Sequence, residues 1–316
     1  MITAKNYAAQ AVRDMSLAAI NVAKLGCFED SIKILALNNQ ITKSIKFAMP
    51  DYGKVFDNNH KGLIGNAIRL PFSNISIEYY VPVNTYVYGG EIEVKRRLIC
   101  ATEVSRKELV LHDSVLPLFG DIFIVVTSVL YSEKSKTWSP DLLGIILPTN
   151  WDYTSGLQRI GELPKDPTNP GFACTPFIPF PGVFNRVLSM EGISHDDLLN
   201  SSIRDISSEV TVLLEFLEAL SCSNIEQSIH QPASPKNAQR IKSHKLPIYE
   251  TRFLTIKSTA KEATSIGIIG SHQSPRQHLR RGHIRRLESG NIWVNSCVVG
   301  DSSKGVINKQ YRMAGL

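Results

Sequence analysis

The chain has 316 residues, of which 43% are apolar, with a formal net charge of +6. That is long enough for one large domain or two smaller ones, and too apolar for a disordered chain. No apolar run reaches membrane-spanning length, and MITAKNYAAQAVRDM at the start lacks the apolar core of a signal peptide, so a cytoplasmic protein is expected.

The first forty residues read as helical. Val12, Met15, Ala19 and Val22 recur at helical spacing until Gly26, and a second helix follows from Asp30 through Leu37 to Ile45. From Arg69 the period changes. Ile75, Ile77 and Tyr79 alternate with Ser76, Glu78 and Tyr80, and residues 97–104, 108–112 and 121–131 read as further strands, with Gly89-Gly90 as a turn. Residues 69–150 are therefore expected to form a mostly antiparallel sheet.

Residues 163–182 contain six prolines in twenty positions, which forbids regular structure. Phe172, Phe177 and Phe180 make this an ordered loop in expectation rather than a linker. Helix returns at 194–222, where Ser194 is the N-cap and Val210, Leu213, Leu214, Leu217 and Leu220 form the apolar stripe. His195-Asp196-Asp197 suits a capped, solvated first turn better than a metal site. Residues 230–247 are polar, basic and bounded by prolines, and mark an exposed loop or domain boundary; a strand follows at 248–257. The expected division is a main domain over 1–229 and a basic, β-rich region over 230–316 able to pack upon it.

Charge is divided unequally. Residues 236–316 hold 15 Lys/Arg against 4 Asp/Glu, a net of +11; residues 1–235 hold 20 against 25, a net of −5. Arg276, Arg280, Arg281, Arg285 and Arg286 fall within eleven residues, with His278 and His283 between them. Two local structures fit this segment. One is a three-stranded element over 277–287, 292–299 and 306–313, turning at 288–291 and 301–305. The other is a helix capped by Ser274, opened by Pro275 and closed before Gly290. The strand reading is preferred because Gly282 weakens a helix interior by about 1 kcal/mol. The expected fold is thus α+β: N-terminal helices, a central sheet and a basic C-terminal three-stranded element.

The arginine fork matches phosphate geometry, and Trp293, Tyr311 and Lys309 add stacking faces and charge. The expected partner is nucleic acid, RNA or single-stranded DNA, contacted by Arg276, Arg280, Arg281, Arg285, Arg286, Trp293 and Lys309. The alternative is that the arginines pair with the acidic remainder of the chain, which leaves an adaptor or inhibitor of a host protein. A third reading is a metal-independent ribonuclease using His278 and His283, with Tyr311 nearby. Five scattered cysteines without a CxxC pair point to reduced thiols. His272, His278 and His283 lack acidic or thiol neighbours, so no metal is expected. With no GxGxxG, Walker loop, GxSxG or HExxH, no cofactor is expected and an enzyme is disfavoured.

RLPFSNISIEYYVP at 69–82, LEALSCSNIE at 217–226, and SPRQHLRRGHIRRLESGNIWVNSCVVG followed by GVINKQY at 305–311 resemble a family of uncharacterised bacteriophage and prophage proteins. The resemblance implies a phage product acting in a bacterial cytoplasm, in host takeover, nucleic-acid metabolism or counter-defence. It brings no residue roles with it.

Overall fold

The computed structural model describes residues 5–55, 68–82, 86–87, 92–109, 121–149, 175–191, 194–232, 234–256, 276–280, 283–288, 290–294, 297–299 and 301–306.

Two antiparallel helices open the chain, α1 (Tyr7–Lys24) and α2 (Phe28–Lys43). Gly26 ends α1 at φ +86, a conformation glycine adopts without a Cβ clash. Its N–H donates to Ala23 O at 2.9 Å and that of Cys27 to Val22 O at 3.2 Å, which satisfies the last carbonyls of the helix. The second helix stops earlier than its apolar period suggests. Ser44 is extended, and Ile45–Ala48 forms strand β1 instead of a last helical turn. The Ser44 hydroxyl lies 2.7 Å from that of Ser76 on the neighbouring strand, so a sheet contact wins over helix continuation.

The central sheet takes β1, β2 (Asn74–Tyr80), β3 (Tyr86–Val87), β4 (Ile92–Ser105), β5 (Ile122–Ser132), β6 (Thr137–Pro148), β7 (Thr175–Phe177), β8 (Ile225–His230) and β9 (Thr251–Ile256). Their order is β7-β6-β5-β4-β2-β1-β9-β8, with β3 paired beside β4. From β2 to β7 every described ladder is antiparallel, whereas β1 runs parallel to both β2 and β9. The sheet is therefore mixed. The ladder carries the chain past residue 230, because β9 lies between β1 and β8.

Alternation gives the sheet two buried faces. Leu98, Cys100, Val129, Tyr131 and Trp138 pack against Ala8, Ala11, Met15, Ile34 and Ile41 of the helical pair. Ile75, Ile77, Ile99, Val126 and Ile145 pack against Ile206, Val210, Leu213 and Leu217 of α4 (His195–Leu220). The result is three layers, helix pair, sheet and helix. Ser194 accepts a hydrogen bond from Asp197 N at 3.1 Å, so it caps α4 as its sequence signals. His195 and both aspartates are exposed in the first turn.

Two helices lie where irregular chain is expected. α3 (Pro181–Glu191) begins at the end of the proline-rich segment, with Pro181 in its first position, where a missing N–H costs nothing. Its Val183 N–H donates to the Asp30 carboxylate of α2 at 2.7 Å. A Cβ on Gly182 would meet that carboxylate at 2.9 Å, so glycine permits this approach. α5 (Ser234–Lys242) occupies much of the expected 230–247 loop. Of the proline-rich segment's aromatic residues, Phe180 is buried, Phe177 is half-buried in and beside β7, and Phe172 lies outside the described residues.

Beyond residue 275 the backbone forms β10 (Arg276–Arg280), β11 (His283–Leu287), β12 (Gly290–Val294), β13 (Cys297–Val299) and β14 (Asp301–Val306). The described residues of this segment lie in short strands and not in the helical alternative, and the three-stranded element expected over 277–287, 292–299 and 306–313 is not resolved as such. The long strand expected over 277–287 is instead two, β10 and β11. β13 pairs antiparallel and β14 parallel with β10, while β11 and β12 make a separate hairpin. Residues 301–305, expected as a turn, belong to β14; residues 307–313, expected as a strand, lie outside the described residues, as do Gly89-Gly90 and residues 110–112.

Trp138 is fully buried, with Tyr7 and Tyr131 rings at 5.3 and 5.4 Å from its own. Trp138→Ala should lower unfolding free energy by about 3–5 kcal/mol in urea titration, without changing the far-ultraviolet spectrum at zero denaturant.

Candidate nucleic-acid interface and the buried polar centres

The arginine-rich segment lies on short strands. Arg276, His278 and Arg280 hold alternate positions along β10, with His278 in register with Val299 and Arg280 with Cys297. Along β11, His283 is opposite Val294, Ile284 opposite Trp293, Arg285 opposite Ile292 and Arg286 opposite Asn291. Arg285 is exposed. His278 and His283 therefore belong to different ladders, not to one strand. Arg281, Lys309 and Tyr311 lie outside the described residues.

The best-defined polar chemistry is elsewhere, inside the sheet. On the α4 side, Tyr79 of β2 and Arg97 of β4 are directly opposite each other in the ladder. Both reach Glu209 of α4: the tyrosine hydroxyl donates to one carboxylate oxygen and the guanidinium to the other. All three are buried, Glu209 completely. Burial and then the adjacent carboxylate push the Tyr79 hydroxyl well above its ordinary range, so it stays a donor. Burial opposes the Arg97 charge, but Glu209 and Tyr79 overcome it and hold the guanidinium protonated. Nearby on the same face, Ser128 donates to Asp141 at 2.9 Å.

A second polar centre lies on the α1–α2 side. The Lys46 ammonium donates to Thr42 O and Ser44 O, each at 2.7 Å, and lies 4.5 Å from the centre of the Tyr249 ring. Burial pushes this lysine down to about 8, against the pull of Cys100 and Glu78. Burial also pushes the Cys100 thiol up to about 12, which keeps it protonated and unreactive. Glu78 accepts from the Ala8 N–H of the first turn of α1 at 2.9 Å; its burial raises its pKa. Asn6, in the left-handed region at φ 57, donates to Pro247 O at 2.9 Å and accepts from Tyr249 N at 3.1 Å.

Both centres tie helices to the sheet. Their groups are enclosed between the packed layers, and their hydrogen bonds position the helices on the sheet. Among the described residues no group of His, Cys, Asp and Glu is disposed to hold a metal ion, and no helix is long and apolar enough to cross a membrane. Cys27, Cys100 and Cys222 are free thiols.

Neither centre stands out in the one-dimensional pattern. The available signal is a charged residue on the apolar phase of an element: Glu209 three positions from Ile206 and four from Leu213, and Arg97 two from Ile99. A scan against protein-family models, a search of curated proteins and a search of solved structures each found no match.

Two outcomes follow from these geometries. Glu209→Gln removes the buried carboxylate that Tyr79 and Arg97 share and should cost about 3–5 kcal/mol, measured by denaturant titration beside a Glu29→Gln control at an exposed position. Lys46 has a folded pKa below its unfolded one, so the unfolded chain binds more protons between the two. Its contribution to stability is fully favourable above the unfolded value of 10.5 and is lost as pH falls through about 8. Wild type should therefore gain stability relative to Lys46→Met as pH rises across that window; a difference independent of pH would contradict the assignment.

Proposed function

We propose that the protein contacts RNA or single-stranded DNA through its arginine- and histidine-rich C-terminal strands. The observation that carries this reading is the net charge of +11 over residues 236–316, with five arginines in eleven residues. A nucleic-acid phosphate backbone suits such a density of guanidinium groups.

In this reading β10, flanked by β13 and β14, and the β11–β12 hairpin make up the basic element. Exposed Arg285 is a phosphate contact, with Arg276, Arg280, Arg281 and Arg286 beside it in sequence. Trp293 supplies a face on which an unpaired base stacks, and Lys309 adds charge. Some carboxylates of the main body already have partners within that body. Asp14 is held by Arg13, Asp51 by Lys5, Glu103 by Arg69, Glu209 by Arg97 and Asp30 by the Val183 N–H. In the bacterial cytoplasm, where the resemblance to phage proteins would put it, messenger RNA and replicating DNA are both within reach.

The test is fluorescence anisotropy with labelled single-stranded RNA, single-stranded DNA and duplex DNA across a salt series. Affinity for single strands should fall steeply with salt, and Arg285→Ala should reduce the slope of log affinity against log salt by about 0.7. Trp293→Ala should weaken single-strand binding by about 1–3 kcal/mol with the slope unchanged. No binding of any of the three nucleic acids at low salt sinks the proposal.

A further inference from the structure

An amphipathic helix on a monomer's surface turns one apolar face inward and a polar face out. α2 does not. Ile34, Leu37 and Ile41 are buried against the sheet, yet Phe28, Ile32 and Leu35 stand on its outer side, with Phe28 and Ile32 each 67% exposed. Beside them Leu17 and Ile20 of α1 and Leu25 of the turn are exposed as well. The spacings 17/20 and 28/32/35 each follow one side of a helix.

At these exposures the six side chains leave roughly 600 Å² of apolar surface open, at the upper limit for patches on monomeric proteins. With its polar margin, that approaches the roughly 800 Å² per partner of a standard interface. An outward-facing antiparallel helix pair is also self-complementary: a two-fold axis through it stacks α1 and α2 on their copies as a four-helix layer.

We infer that the outer face of α1 and α2 is the interface of a homodimer. Charge at its margin gives the association a signature. Arg13, Lys24, Lys33 and Lys43 are exposed around the stripe against a single exposed acid, Glu29, because Asp14 and Asp30 are buried. Among the described residues Lys24, Lys33 and Lys43 have no carboxylate partner. Two such margins repel each other at low ionic strength, and salt relieves the repulsion. Dimerisation should therefore strengthen with salt, opposite to binding of nucleic acid or of an acidic partner.

Sedimentation equilibrium of the full chain, at low and high salt, tests this. The expected result is a dimer whose dissociation constant falls as salt rises. Ile32→Asp and Phe28→Asp, both at exposed positions, should each weaken it roughly thirtyfold or more. Ile229→Asp, on the exposed side of β8, should leave it unchanged. Circular dichroism of each variant confirms that the fold survives. A dimer indifferent to both α2 variants places association elsewhere and overturns the inference. So does a monomer at all concentrations, and so does a monomer that floats with phosphatidylserine vesicles through Ile32, which would make the face a membrane contact.

Discussion

A single carboxylate, that of Glu209, decides where the largest helix of this protein can sit. It takes the hydroxyl of Tyr79 and the guanidinium of Arg97 from two adjacent strands, so α4 is held in one rotation and one register against the sheet. The apolar contacts around it supply more of the attraction, since they scale with area. Such contacts are non-directional, however, and Ile206, Val210 and Leu213 could slide over Ile77 and Ile99 at modest cost. A buried ion pair tolerates no such sliding, because displacement leaves a charge without water or partner.

The opposite face solves the same problem differently. Glu78 meets the first turn of α1, and Lys46 closes onto the carbonyls at the end of α2. A carboxyl at a helix N-terminus and an ammonium at a helix C-terminus both complement the backbone dipole. Two neighbouring strands thus orient the helix pair by its ends, whereas α4 is gripped near its middle. Asn6 and Tyr249 extend the hold on the N-terminal helix to chain that follows α5.

Much of this architecture was legible in the amino-acid pattern. The stripe through Val12, Met15 and Ala19, the stripe through Val210 to Leu217, and the alternation of Ile75 and Ile77 each record one local period. β1 was not legible, because Ile41 and Ile45 continue the helical spacing of α2 and only contact with β2 and β9 makes the last turn a strand. α3 was hidden by prolines that look like breakers but place Pro181 at a helix start. Parallel pairing of β1 is likewise a long-range outcome with no local signature. The arginines after residue 275 were plain in composition, but their division between two small sheets depends on pairings with residues up to Val306. Glu209 and Arg97 lie 112 positions apart, and neither residue alone names its partner.

The sheet has two ends, and their construction bears on how the protein behaves when crowded. An unpaired strand edge is a template for another chain and a route to fibrillar association. β7, at one end, is three residues long and carries Pro176, which has no N–H to offer an incoming strand. β8, at the other, is mostly exposed and alternates Glu226, Ser228 and His230 with Gln227 and Ile229. Among the described residues, the end strands of the sheet are thus one too short and one too polar to recruit a further strand, which turns self-association away from β-stacking.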